Sequence, residues 1–217
     1  MRNANHNRTM RLVFLTALLA LGTSDSSGQW KTHIKVGVVG STLRGDAKSD
    51  LSPVTRFSAG VGVSYELRGG FSLQSEFLYS VKGARQKNLP LEIGGVSSPV
   101  LADVTSERTY LEVPLLLVYR IDRAGIRPRV FAGPTFAFKL DAVVKWKSPE
   151  GGVEFQETDD EVESTDFGLT VGGGFDIDFG SEIMEFGVRT VLGFSNVRTA
   201  TPELYNTSIA VYAGITF

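Results

Sequence analysis

The last twelve residues, Asn206 to Phe217, alternate strictly. Ile209, Val211, Ala213, Ile215 and Phe217 fall on one face. Ser208, Ala210, Tyr212, Gly214 and Thr216 fall on the other. Successive side chains of a strand point to opposite faces, so the stretch reads as a strand with one apolar face. Seven earlier stretches follow the same rule. They begin near Ile34, Phe57, Phe71, Tyr110, Arg129, Asp166 and Met184. The pattern predicts eight antiparallel strands.

The connections alternate in length. Residues 43–55, 83–107, 145–164 and 195–206 are long, and residues 68–70, 121–127 and 180–182 are short. An even strand number with alternating long and short connections is the pattern of an up-and-down transmembrane β-barrel with short periplasmic turns and longer external loops. The fold class predicted is therefore all-β, an eight-stranded antiparallel up-and-down transmembrane barrel. Tyr65, Phe71, Tyr119, Phe179 and Phe217 would form the periplasmic aromatic girdle. Phe57, Tyr79, Phe138, Phe167 and Phe194 would form the external one. The alternation fits a soluble barrel as well, with its apolar face turned inward. Pro114 and Pro134 lie inside strands and remove ladder donors, so a bulge is expected at each.

The N-terminus changes the picture further. Arg2, Arg8 and Arg11 precede an apolar run from Leu12 to Leu21, followed by small and polar residues to Gly28. Such a run is too short to span a bilayer as a helix and reads as a secretion signal. Residues 1–28 are assigned as signal peptide, cleaved after Gly22 or Gly28, and residues 29–217 as the barrel domain. No periplasmic domain is expected after Phe217 and no plug before the first strand. The chain has no Cys and a net charge of −2. Thiol chemistry is thereby excluded, and nucleic acid has no electrostatic support as a partner.

Several stretches resemble a known family. They are Gly37-Val38-Val39-Gly40-Ser41-Thr42, the run from Phe71 to Ser80, the run from Tyr110 to Leu116, and Phe131-Ala132-Gly133-Pro134. Together they are similar to the PorT-like outer-membrane β-barrel proteins of Bacteroidota-type bacteria, over roughly residues 32–217. The resemblance implies an eight-stranded outer-membrane barrel. It implies little about activity, although one branch is linked to a protein-secretion apparatus.

Candidate chemistry lies on the polar face. Its acids are Glu66, Glu76, Glu112, Asp176, Asp178 and Glu185, and its bases are Lys35, Lys82, Arg120, Arg129, Lys139 and Arg189. An eight-stranded barrel is just wide enough for its own side chains, and an unpaired buried ion is costly, so these charges should pair and close the lumen. Asp176 and Asp178 are expected to meet Arg120 or Arg129. Inward glycines at 60, 62, 168, 172, 174 and 187 are expected to leave room for long Arg and Glu side chains. Tyr212, Gly214, Ile215 and Phe217 are assigned as an assembly signal.

Other features are weaker. His33 is the sole histidine after residue 28 and is read as interfacial, leaving too few groups for a Ser-His-Asp hydrolase. Gly172-Gly173-Gly174 lacks the Lys and helix start of a phosphate loop. The acidic third connection lacks the spacing of a calcium loop, and Arg44-Gly45-Asp46 is too short to carry weight. No catalytic residue, metal or cofactor is assigned. The partners expected are outer-membrane lipid and lipopolysaccharide, the barrel-assembly machinery during folding, and a protein engaged through the long loops. The function read is a closed, non-enzymatic outer-membrane barrel. The alternatives are a small porin or ligand-transport barrel, and a soluble lipocalin-like carrier suggested by Gly28-Gln29-Trp30.

Overall fold

The computed structural model describes residues 29–45, 51–93, 96–121, 125–147, 154–158, 163–197 and 203–217. The secretion signal, Asp46 of the tripeptide, and Glu150, Asp159, Asp160 and Glu161 of the acidic connection lie outside them.

Nine strands are present among the described residues. They are β1 (Trp30–Gly45), β2 (Leu51–Glu66), β3 (Phe71–Ile93), β4 (Val96–Arg120), β5 (Ile126–Lys147), β6 (Glu154–Thr158), β7 (Thr165–Phe179), β8 (Glu182–Gly193) and β9 (Leu204–Thr216). Eight of them close into a ring, because β1 pairs with both β2 and β9, and β4 pairs with β5. The ninth, β6, is a short arm on the outer part of β5. Closure removes every barrel edge, which a spanning sheet in hydrocarbon requires.

Which face points inward decides the kind of barrel. The outward face is apolar and exposed: Val211 is 63% exposed, Val36 59% and Val130 59%. The inward face is polar and sealed: Glu185 is 0% exposed, Glu76 1% and Lys35 3%. This inversion is the reverse of a soluble carrier, whose apolar face must be inside. The lipocalin-like reading is thereby corrected.

The short connections all lie at one end. They turn through Gly69 and Gly70, Gly125 and Gly180, each with positive φ, which glycine alone reaches at little cost. Exposed aromatics ring this end, with Trp30 against Tyr65 at 4.9 Å and Phe71 against Tyr119 at 4.8 Å between ring centres. Phe57 and Tyr79 at 5.8 Å, and Phe136 and Phe167 at 5.3 Å, stand nearer the long-loop end.

Two expectations of the sequence reading need correction. The connection at 83–107 is mostly strand: β3 and β4 run on as a hairpin to Ile93 and Val96. The prolines do not make bulges. On β4, the pairing with β3 lapses opposite Val113 and Pro114, and the pairing with β5 lapses opposite Leu115 and Leu116; the register is unchanged on either side of each gap. Irregularities occur instead between Pro53 and Ser58 and beside Thr109 and Tyr110.

Candidate functional site

Alternation sends the polar residues inward, and strand tilt decides which of them meet. Arg120 on β4 donates through Nη1 to Glu66 of β2 at 3.1 Å and through Nε to Asp176 of β7 at 2.8 Å. Asp176 also lies 3.0 Å from Arg129 of β5. Arg129 reaches Glu185 of β8 at 2.8 Å, and Glu185 reaches Lys35 of β1 at 2.9 Å. Lys35 continues to Glu76 of β3 at 2.6 Å, which Arg189 of β8 also meets at 2.7 Å. On β9, the Tyr212 hydroxyl accepts from Arg129 at 2.9 Å. The connected set thus has a member on each of the eight barrel strands. Its four carboxylates are matched by Lys35, Arg120, Arg129 and Arg189, with Lys31 joining Glu66 from the half-exposed rim at 3.3 Å, and such pairing is what allows ions to stay in so confined a space.

The remaining predicted residues sit elsewhere. Lys82 and Glu112 form their own buried pair nearer the long-loop end. Lys139 is half-buried, opposite Tyr110. Asp178 stands at the short-turn rim with its side chain 54% exposed, and it pairs with Arg127, not with Arg120 or Arg129. It is outside the sealed interior because β7 ends one residue later. Gly214 follows Tyr212 on the inward face, whereas Ile215 and Phe217 point outward and are exposed.

His33 is not interfacial. It is 1% exposed and faces inward, with Nδ1 3.4 Å from the Thr216 hydroxyl and 3.6 Å from Glu185. Gly62 leaves room for Glu76 as expected and also for His33, since an ideal Cβ there would lie 3.0 Å from Glu76 Cγ and 2.8 Å from the His33 ring; Gly187 makes room for the Tyr212 hydroxyl, 2.6 Å from an ideal Cβ. Gly60, Gly168 and Gly174 instead abut the backbone of the next strand.

Three interior features were not singled out by the sequence. Leu116, Val118, Phe131 and Tyr212 make an apolar cluster within the polar lumen. Asn206 donates to Asp166 at 2.8 Å and to Tyr110 at 3.2 Å. At the long-loop mouth, Val197 folds back onto Leu43, Ala84 and Leu204 and is 1% exposed. The alternating phase marks Asn206 and Leu204 as inward once β9 is extended by two residues. Val197 follows no periodic strand, so no pattern reveals it. Among the described residues, no group of three or more His, Asp or Glu is placed to hold a metal ion.

The family model for the outer membrane protein beta-barrel domain matches residues 20–198. The chain belongs to that family and is an integral β-barrel protein of the bacterial outer membrane. Its short turns therefore face the periplasm and its long connections the exterior. Solved structures similar to it include Neisserial surface protein A, with 14% identity over 85% of this chain and 95% of that one and a TM-score of 0.44. OprG from Pseudomonas aeruginosa is 11% identical over 87% and 96%, with a TM-score of 0.45. Ail, the attachment invasion locus protein of Yersinia pestis, is 12% identical over 87% and 99%, with a TM-score of 0.43. No curated protein matches the chain.

Proposed function

We propose that this chain is a closed, non-enzymatic barrel that anchors external loops and carries no solute. The observation that supports this reading is the network of ion pairs spanning seven barrel strands and joined to the eighth through the Tyr212 hydroxyl, backed by the apolar cluster around Val197 at the long-loop end. A path through the lumen would have to break several buried ion pairs at once, each break leaving an uncompensated charge. Planar-bilayer recording of the purified protein tests it: no stable conductance is expected. A steady open level would favour the small-pore alternative.

Loop-borne recognition is part of the same proposal. The β3–β4 hairpin and the β5–β6 arm extend beyond the apolar band of the wall. Shortening either should leave the barrel folded, as read by heat-modifiable gel mobility, and remove binding to a protein partner. Loss of folding would count against the reading.

Membership of the PorT-like family is supported by the stretches at 37–42, 71–80, 110–116 and 131–134. Residues 1–28 act as a signal peptide, so N-terminal sequencing of the membrane-extracted protein should begin at Gln29 or after Gly22. The barrel-assembly machinery reads the end of β9 through Tyr212, Gly214, Ile215 and Phe217, of which Ile215 and Phe217 face outward.

A further inference from the structure

The barrel wall has one seam where three observations coincide. The first is backbone pairing. β4 loses its ladder with β3 between the Ser75–Leu115 and Leu78–Glu112 pairs, and its ladder with β5 between the Pro114–Thr135 and Leu117–Ala132 pairs. Pro114 and Pro134 supply no N–H there. The second lies outside: an apolar groove of about 670 Å³ crosses the wall from Trp30 and Tyr65, past Leu73 and Leu115, to Ala132 and Pro134. Its volume is that of a ligand pocket. The third lies inside. The apolar cluster of Leu116, Val118, Phe131 and Tyr212 backs the same stretch of β4 and β5. Gln74 and Leu116, whose side chains face inward, also border the outer groove.

We propose that this seam binds one acyl chain of a phospholipid from the periplasmic leaflet. The position in the wall fixes the occupant. Tyr65 precedes the last residue of β2, and Leu73 is the third residue of β3, so the groove lies in the half of the band next to the short turns. One end carries polar groups at headgroup depth, where the Tyr65 hydroxyl donates to Gln29 at 2.8 Å. The rest is apolar, and the small outward residues Ser75 and Ala132 make it concave. A chain seated there covers Leu115, Leu116, Gly133 and Pro134, where β4 and β5 lose their ladder, a break that hydrocarbon-exposed sheet otherwise avoids. The inference rests on the membrane placement of the barrel and is independent of whether the lumen is closed.

The test uses the full barrel in phosphatidylethanolamine vesicles doped with a diazirine-tailed phosphatidylethanolamine. After illumination, labelled peptides are mapped. Labelling should concentrate on the segments holding Leu73, Leu115 and Ala132, several-fold above the opposite wall at Val188 and Val211. Ala132→Phe should fill the groove and abolish the excess while leaving the opposite wall unchanged. Heat-modifiable mobility checks folding, and Ser75→Leu carries the same test if Ala132→Phe fails to assemble. Equal labelling of both walls, an excess that survives filling, or crosslinks between two copies at the seam would overturn the proposal.

Discussion

The guanidinium of Arg189 lies 4.6 Å from the ring centre of Tyr212, and that ring is the hub of the lumen. Arg129 donates to its hydroxyl at 2.9 Å, and the Lys35 ammonium stands 5.2 Å from its centre. One aromatic side chain thus lines up three cations that would otherwise repel. Cation–π attraction is strongest where water is excluded.

Tyr212→Phe keeps the ring and loses only the acceptor for Arg129. It should cost about 1.5–3 kcal/mol, the range for a hydrogen bond to a charged group. Tyr212→Ala also opens a cavity and should cost more, about 3–5 kcal/mol. Urea unfolding in lipid vesicles would order the two variants.

Glu76 accepts from Lys35 at 2.6 Å, Gln74 at 2.5 Å and Arg189 at 2.7 Å. Glu76→Gln removes the carboxylate that Arg189 pairs with and leaves Lys35 to Glu185 alone, and should destabilise by about 3–5 kcal/mol. Adding Arg189→Met should recover part of that loss, because the two residues act as a unit. Strict additivity in the same unfolding assay would contradict the shared role.

Gly133 lets β4 and β5 touch where their ladder lapses. An ideal Cβ there would sit 1.9 Å from the Leu115 carbonyl oxygen, a backbone atom that cannot swing away. Gly133→Ala should cost at least about 1–3 kcal/mol, the usual penalty of overpacking. Gly40→Ala serves as the control, since its Cβ would meet nothing closer than 3.8 Å.

Glu107 lies on β4 beyond the apolar band, joined to Arg56 and, at 2.8 Å, to Lys145. Burial pushes its carboxyl upward, but Lys145 and Arg56 outweigh that and hold it below the usual carboxylate range. A depressed carboxyl stabilises the fold above its unfolded-state value, and the benefit disappears as pH falls through the folded value. Glu107→Gln should therefore be less stable than wild type at neutral pH, with the gap closing in acid. A gap independent of pH would show that the ion pairs contribute nothing.

Phe217 is 55% exposed, and its backbone N–H donates to Thr32 at 2.9 Å. A charge near the membrane interface costs a finished barrel only about 0–1 kcal/mol. Phe217→Asp should nonetheless deplete the protein from outer-membrane fractions if β9 is read during assembly. Normal levels would refute the assembly role.

Much of the wall was legible in the chain. Inside the bilayer the two faces of a strand meet different solvents, so a strict period of two survives from Ile34 to Phe217. Beyond the bilayer both faces meet water and the period fades. For that reason Gly83 to Ile93 and Val96 to Glu107 read as loop although they are paired strand. His33 shares the phase of Lys35, and only its place near the strand start concealed its inward direction.

The sequence by itself determined the all-β class, the antiparallel barrel strands, the short turns and the inward phase of charges such as Lys35, Glu76, Arg129 and Glu185. These follow from local periodicity and glycine chemistry, which need no knowledge of neighbours. Tertiary structure alone decided that Arg120 bridges Glu66 and Asp176 while Asp178 is left to Arg127 at the rim. It also decided that Pro114 and Pro134 fall beside one another as a seam, and that Val197 packs onto Leu43, Ala84 and Leu204. Partners across a lumen are set by strand tilt and stagger around a closed ring. That geometry belongs to the whole circle of strands, and no single strand carries it.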